Sequence, residues 1–179
     1  MKRKPIRLTS TSYAVLALLD HFGEATPYDL KQALDRSIEN FWQVPHTTAY
    51  EEPARLAAGG YLSARQEPGG RRRKVYALTP LGHEALRAWA AVPDVAPPQL
   101  RDEALLKIFA GADPQPILLA RRAWHAMKLE ELQGYLDAVR AECGDEHEPT
   151  GAERTLIAGT AYHRMMLEVL DALEAARER

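Results

Sequence analysis

The sequence predicts a mostly α-helical chain with one small β-hairpin, divided into an N-terminal part of mixed structure and a C-terminal part that is all helix. Three observations carry this reading. Apolar spacing is helical up to Gly59-Gly60, switches to strand-like runs over Tyr61–Thr79, and returns to helical spacing afterwards. Val92-Pro93-Asp94-Val95-Ala96-Pro97-Pro98 places three prolines where no helix can continue. The formal net charge of -2 over 179 residues hides an asymmetry: residues 1–90 hold 13 Lys+Arg and 9 Asp+Glu, whereas residues 91–179 hold 10 and 16. The expected organisation is a domain over residues 1–90, a Pro-rich linker over 91–100 and a helical domain over 101–179, of which only the basic first half is suited to a polyanion.

The elements follow in order. Ser10-Thr11-Ser12 offers N-cap hydroxyls, and Val15, Leu18, Leu19 and Phe22 follow at one-face spacing, which makes a first helix stopped near Gly23. Thr26-Pro27 pairs an N-cap with a proline at the first helical position, where its missing N–H is harmless. Leu30, Ala33, Leu34 and Ile38 give that second helix its buried face. Phe41-Trp42-Gln43-Val44-Pro45 is an aromatic connector, expected to pack over the core rather than stand free. A third helix is expected from Thr47 or Thr48 to Gly59-Gly60, a good left-handed stop. Tyr61–Gln66 and Lys74–Thr79 read as strands around a Pro68-Gly69-Gly70 turn, and Thr79-Pro80 opens a fourth helix through Leu86 and Trp89. Three helices, a hairpin and a closing helix in that order define a winged helix-turn-helix. The acidic half then reads as a short helix from Asp102 to Ala110, a long one from Asp113 toward Cys143, and a last one from about Ala152. Their wide apolar stripes, Leu118 to Val139 and Leu156 to Leu173, predict a homodimer through this region, the alternative being packing onto the winged domain.

Composition and motifs exclude several classes. No apolar run approaches the roughly 18 residues of a membrane span, and the basic start has no signal-peptide continuation, so a cytoplasmic protein is expected. A single cysteine, Cys143, excludes an intrachain disulfide framework, and its place near a helix C-terminus disfavours a reactive thiolate. No Gly-rich phosphate loop, His-Glu-x-x-His or Gly-x-Ser-x-Gly is present, and His125, His147 and His163 lack metal-ligand spacing. Neither an enzyme, a cofactor nor a metal is expected.

The third helix of a helix-turn-helix enters the major groove. With Ala49, Pro53 and Leu56 facing inward, His46, Thr47, Thr48, Glu51 and Arg55 form the outward set with Tyr50 at its border. Arg55 either forks onto guanine or pairs with Glu51 or Glu52, and Thr47 or Thr48 either contacts DNA or caps the helix. Arg71-Arg72-Arg73-Lys74 at the hairpin tip are four adjacent cations suited to phosphates or a minor groove. Lys2, Arg3, Lys4 and Arg7 form a second basic cluster, either a phosphate-contacting arm or a free end. Trp42, Trp124, His125, Met127, His163, Met165 and Met166 either line an effector cavity between the two parts or are ordinary core.

Taken together, Tyr13-Ala14-Val15-Leu16, Pro27-Tyr28-Asp29-Leu30, Phe41-Trp42, Tyr50, Arg55-Leu56, Gly60-Tyr61-Leu62, Gly70–Lys74, Tyr76, Leu78-Thr79-Pro80 and Gly82 resemble the PadR family of bacterial transcriptional regulators. Arg101–Phe109 is similar to the opening of the helical C-terminal domain in that family's longer subgroup. The resemblance implies a homodimeric winged-helix repressor on a pseudo-palindromic operator in double-stranded DNA and, in several members, release by a small aromatic effector. Two departures bear on the third helix. Pro53 stands where the family has an aliphatic residue and predicts a kink or a later start, and Glu51-Glu52 would repel phosphate. These residues support the alternative of a winged-helix interaction module that dimerises without binding DNA.

Overall fold

A computed structural model describes residues 6–42, 44–45, 47–67, 73–143 and 147–177. The chain divides into two compact units, residues 1–96 and 97–179, and the division falls inside the proline-rich stretch.

The first unit starts from caps. Helix α1 spans Ser10–Phe22, and its N-cap is Thr9, one residue before the expected Ser10-Thr11-Ser12 cluster. Ser12 Oγ accepts from the Thr9 amide at 2.9 Å while Thr9 Oγ1 accepts from the Ser12 amide, a reciprocal box that takes two orphan donors out of play. Helix α2, Pro27–Arg36, uses the same device through Thr26 and Asp29, with Pro27 in its first turn. A 3-10 turn over Ile38–Asn40 leads toward helix α3, Thr48–Gly59, which Gly60 ends at φ 82° in the left-handed region.

Three antiparallel strands, β1 over Glu24–Ala25, β2 over Leu62–Gln66 and β3 over Lys74–Leu78, form one sheet with β3 in the centre. Strands β2, Leu62–Gln66, and β3, Lys74–Leu78, are the expected hairpin arms, with Leu62 opposite Leu78 and Gln66 opposite Lys74. Strand β1 is only Glu24–Ala25, paired to Ala77 and Tyr76, and its two residues are too few for any periodicity to announce. Helix α4 runs Pro80–Ala90. Val15, Leu16 and Leu19 of α1, Leu30 of α2, Leu56 of α3, Leu62, Tyr76 and Leu86 share one core. Trp89 closes it by stacking on Tyr13 at 4.6 Å.

Pro53 does not delay the start of its helix, one of the two outcomes expected of it. Helix α3 runs unbroken through it, and its ring is among the fully buried side chains. The missing N–H forgoes one backbone bond to Ala49, and burial of the ring against the core offsets that loss.

The second unit holds α5, Glu103–Phe109, α6, Pro114–Cys143, and α7, Gly151–Arg177. The last two pack together along a narrow seam. Leu118, His125, Leu132 and Leu136 of α6 and Thr160, His163, Met166 and Leu170 of α7 are buried. Leu118, His125 and Leu132 recur every seven residues, the spacing of a two-helix seam rather than of a wide buried face. Gly159 lets α7 come close, since a Cβ there would stand 3.0 Å from Leu132 Cδ1.

The junction of β3 and α4 is the least forgiving point of the first unit. Thr79 caps α4 and its hydroxyl donates to the Gly60 carbonyl at 2.8 Å, which draws the first turn of α4 onto Tyr61. A Cβ on Gly82 would lie 2.3 Å from the Tyr61 carbonyl oxygen, which as backbone cannot move aside. Gly82→Ala is therefore expected to lower stability by at least about 2 kcal/mol in denaturant titration, whereas Gly134→Ala, which meets nothing within 4 Å, should not lower it.

Candidate nucleic-acid interface

Helix α3 presents two unlike faces. Inward lie Ala49, Pro53 and Leu56, together with Thr48 and Gly59. Thr48 is 7% exposed, which corrects the expectation that it faces outward: as the first helical residue it turns into the core. Outward lie Thr47, Tyr50, Glu51, Ala54 and Ala58. Thr47 is the N-cap residue, but its side chain makes no cap hydrogen bond. Ala54 and Ala58 escape sequence reasoning because a methyl group carries no chemical signature. They continue the line from Tyr50 one turn at a time and leave this face low enough for close backbone approach.

Arg55 is committed to the fold. Its Nε and one terminal nitrogen donate to the two oxygens of Glu52 at 2.8 and 2.6 Å. The same terminal nitrogen reaches Ser12 Oγ at 2.8 Å, and the other donates to the Arg7 carbonyl at 3.0 Å. Burial by itself raises the Glu52 carboxyl, but hydrogen bonds from Arg55 and Ser12 and the guanidinium charge outweigh it and hold the group below its ordinary value. The hydrogen bond from Arg55 to Glu52 and the carboxylate's charge in turn raise Arg55 against its own desolvation. The pairing reading of Arg55 therefore describes this structure, with Glu52 rather than Glu51 as partner. Glu52 is neutralised by the same contact, and Glu51 alone stays exposed on the outer face.

The wing is described from Arg73 onward. Arg73 and Lys74 are both exposed, and the Arg73 carbonyl accepts from the Glu67 amide at 3.0 Å, closing the hairpin end. Arg65 on β2 pairs with Glu24 on β1, which ties the extra strand to the hairpin. His46, Lys2, Arg3, Lys4, Arg71 and Arg72 lie outside the described residues.

Of the residues considered for an effector cavity, Trp42 lies exposed in the first unit. In the second unit Trp124, His125, His163 and Met166 come together, the Trp124 ring sitting 4.7 Å from His125 and 5.3 Å from His163. Met127 and Met165 are exposed and outside that cluster. A separate hollow of about 560 Å³ lies between α5 and α6, lined by Arg101, Lys107, Arg121, Ala104 and Ile117 among others. Sequence reasoning misses it, because its residues are held together by the Arg121–Asp102 ion pair across two helices. Among the described residues no group of three or more His, Cys, Asp or Glu is placed to hold a metal, and no helix is long and apolar enough to cross a membrane.

The first unit is thus a winged helix whose third helix is held by one face and bare on the other. Residues 15–88 match the Transcriptional regulator PadR-like family. The chain is 26% identical over 136 residues to the negative transcriptional regulator PadR of Bacillus subtilis, covering 72% of this chain and 74% of that one. The same fold is seen in Bacillus subtilis PadR in complex with operator DNA, with a TM-score of 0.79, 23% identity, and coverage of 96% of this chain and 99% of that one. It is also seen in that protein in complex with p-coumaric acid, with a TM-score of 0.72, 22% identity, and coverage of 96% and 100%. Residues 15–88 of the chain, the winged-helix part, are thus similar throughout to the PadR-like transcriptional regulators.

Removing the Arg55 guanidinium would leave Glu52 partly buried without its main partner. Arg55→Ala is expected to destabilise the chain by about 1–2 kcal/mol, with Arg55→Lys recovering only part because an ammonium cannot fork onto both oxygens. Since Glu52 sits below its ordinary value of 4.5, this contribution is present above about pH 4.5 and lost as pH falls through the folded value. Denaturant titrations of both variants at pH 7 and pH 4 measure it.

Proposed function

We propose that the protein is a homodimeric, sequence-specific DNA-binding repressor that a small molecule releases from a pseudo-palindromic operator. The observation that carries the DNA reading is the outer face of α3. Thr47, Tyr50 and Glu51 are exposed there beside the low surface of Ala54 and Ala58, and none has a role in the core. Hydroxyls of Thr47 and Tyr50 suit bases or phosphates, the alanine methyls suit the thymine methyl, and Glu51 suits a cytosine amino group. Arg73 and Lys74, with Arg71 and Arg72 before them, supply the phosphate contacts that fix register. The operator complex of Bacillus subtilis PadR supports operator DNA as the partner, and the negative role of that relative supports repression.

Dimerisation is supported by what the α6–α7 seam leaves uncovered. Leu119, Trp124 and Met127 on α6 and Ile157, Met165 and Val169 on α7 stay exposed within the chain, as does Phe109 of α5 at 90%. So much apolar surface in a small helical unit suits a second copy of the chain. For the effector, the p-coumaric acid complex of the relative supports a small aromatic acid. In this chain the hollow between α5 and α6 is lined by the exposed Arg101 and by Ala104, Pro116, Ile117 and Ala120, beside the Arg121–Asp102 and Lys107–Glu103 ion pairs, and Arg101 suits a carboxylate on a compact body. The Trp124, His125, His163 and Met166 cluster remains the second candidate.

The α3 assignment is tested by Ala54→Phe. The side chain at 54 points to solvent, so the variant should keep its stability to within about 0.5 kcal/mol, yet hold the outer face off the duplex and weaken operator binding at least about tenfold by fluorescence anisotropy. Unchanged affinity would remove α3 from the interface. Absence of DNA binding by the unaltered chain would instead favour the interaction-module reading.

A further inference from the structure

The buried face between α6 and α7 contains two titratable groups that the DNA-binding reading does not use. His125 and His163 stand at core positions of the seam, 0% and 3% exposed, with their Nδ1 atoms 2.8 Å apart. At that separation one Nδ1 carries a proton and donates to the lone pair of the other, so the hydrogen bond exists only when the pair has a single proton between those atoms. The remaining nitrogen of His125, Nε2, is buried with no partner among the described residues. Either tautomer leaves it unsatisfied: a lone pair without a donor, or an N–H without an acceptor. Around the pair pack Trp124 and Tyr162, both edge-on to the imidazoles, and Met166 lies buried on the same seam.

A further proton has nowhere favourable to go. Placed on His125, it makes an imidazolium whose Nε2–H has no acceptor among the described residues, and burying such a charge without a counter-ion is costly. The charged groups that act on the pair are mixed. Arg121 on α6 and Asp102 at the N-cap of α5 act on His125, and Asp102 is already committed to Arg121. Lys128 and Glu131 on α6 act on His163 and are paired with each other at 2.8 Å. The α7 side contributes the aromatic ring of Tyr162. No carboxylate is therefore free to neutralise an imidazolium among these groups.

We propose that the His125–His163 pair is an acid-sensitive latch of the α6–α7 hairpin, closed when both imidazoles are neutral and opened by proton uptake, which drives the two helices apart. Desolvation, with the His163 and Arg121 charges behind it, depresses His125 from 6.5 to about 4, and desolvation and Lys128 depress His163 in the same direction. The sign follows directly. Once pH drops below 6.5 the unfolded chain takes up protons that the closed seam refuses, so the hairpin weakens steadily toward pH 4. His125 alone then lowers the folded-to-unfolded ratio about 30-fold between pH 7.5 and pH 5. The His147–Glu153 ion pair at the other end of the seam, 2.6 Å long, is common to every variant below. This latch lies wholly in the second unit and does not depend on what the first unit binds.

Two measurements on the full chain test it. Imidazole resonances of the unaltered protein, followed from pH 7.5 to pH 4.5, should show His125 and His163 staying neutral well below pH 6. Titration of both near 6.5 overturns the proposal. Denaturant unfolding by far-ultraviolet circular dichroism should lose stability on acidification to pH 5 in the unaltered chain. His125→Leu/His163→Leu, which replaces both partners with apolar side chains of similar size, should lose at least about 30-fold less in the same ratio. Equal acid dependence in the two proteins overturns it, and if the double variant does not fold, the resonance titration alone decides.

Discussion

The first unit depends on one constraint: α3 must be gripped along a single face so that the opposite face is offered whole. Ala49, Pro53 and Leu56 supply the apolar grip. Arg55 supplies a polar one, because it fastens simultaneously to Glu52 on its own helix, to Ser12 on α1 and to the backbone at Arg7. Rotation of α3 about its axis would expose Pro53 and pull Arg55 away from Ser12 and Arg7 together. The outer line of Thr47, Tyr50, Ala54 and Ala58 is set by that grip, not by any contact of its own. The same arrangement explains how the acidic pair Glu51-Glu52 sits on a surface suited to phosphate: one of the two charges is absorbed by Arg55.

The two units solve the problem of burial differently. The first closes a conventional core from four helices and a sheet, and at Gly82 it leaves no room for even a methyl group. The second is a two-helix seam with much apolar surface left over, including most of one side of α5. The leftover apolar surface is what the proposed second copy of the chain would cover.

Much of the fold is legible in the sequence because its signals are local. Thr26-Pro27, Thr79-Pro80 and Gly59-Gly60 mark helix ends through backbone chemistry that does not depend on tertiary context, and the hairpin arms fall within a residue of their expected bounds. What is not legible depends on distance. Strand β1 exists only because β3 passes beside Glu24 and Ala25. The anchoring of Arg55 to Ser12 and to the Arg7 carbonyl spans 43 and 48 positions, which no local pattern announces. Thr48 is buried against expectation because spacing alone cannot fix the phase of a helix at its first residue. His125 and His163, 38 residues apart, have no metal-ligand spacing to link them, and only the antiparallel return of α7 makes them a pair. Pro53 shows the opposite failure, a strong local rule overridden by burial.

The central claim is that this regulator meets DNA through the outer face of α3 and the cationic start of β3. A salt titration tests it most directly, using a duplex selected from a random pool and comparing the unaltered chain with Arg73→Ala/Lys74→Ala. If the two side chains neutralise phosphates, the slope of log affinity against log salt should flatten by roughly 0.9 for each phosphate left unneutralised, about 1.8 per chain. An unchanged slope with undiminished affinity would contradict the account.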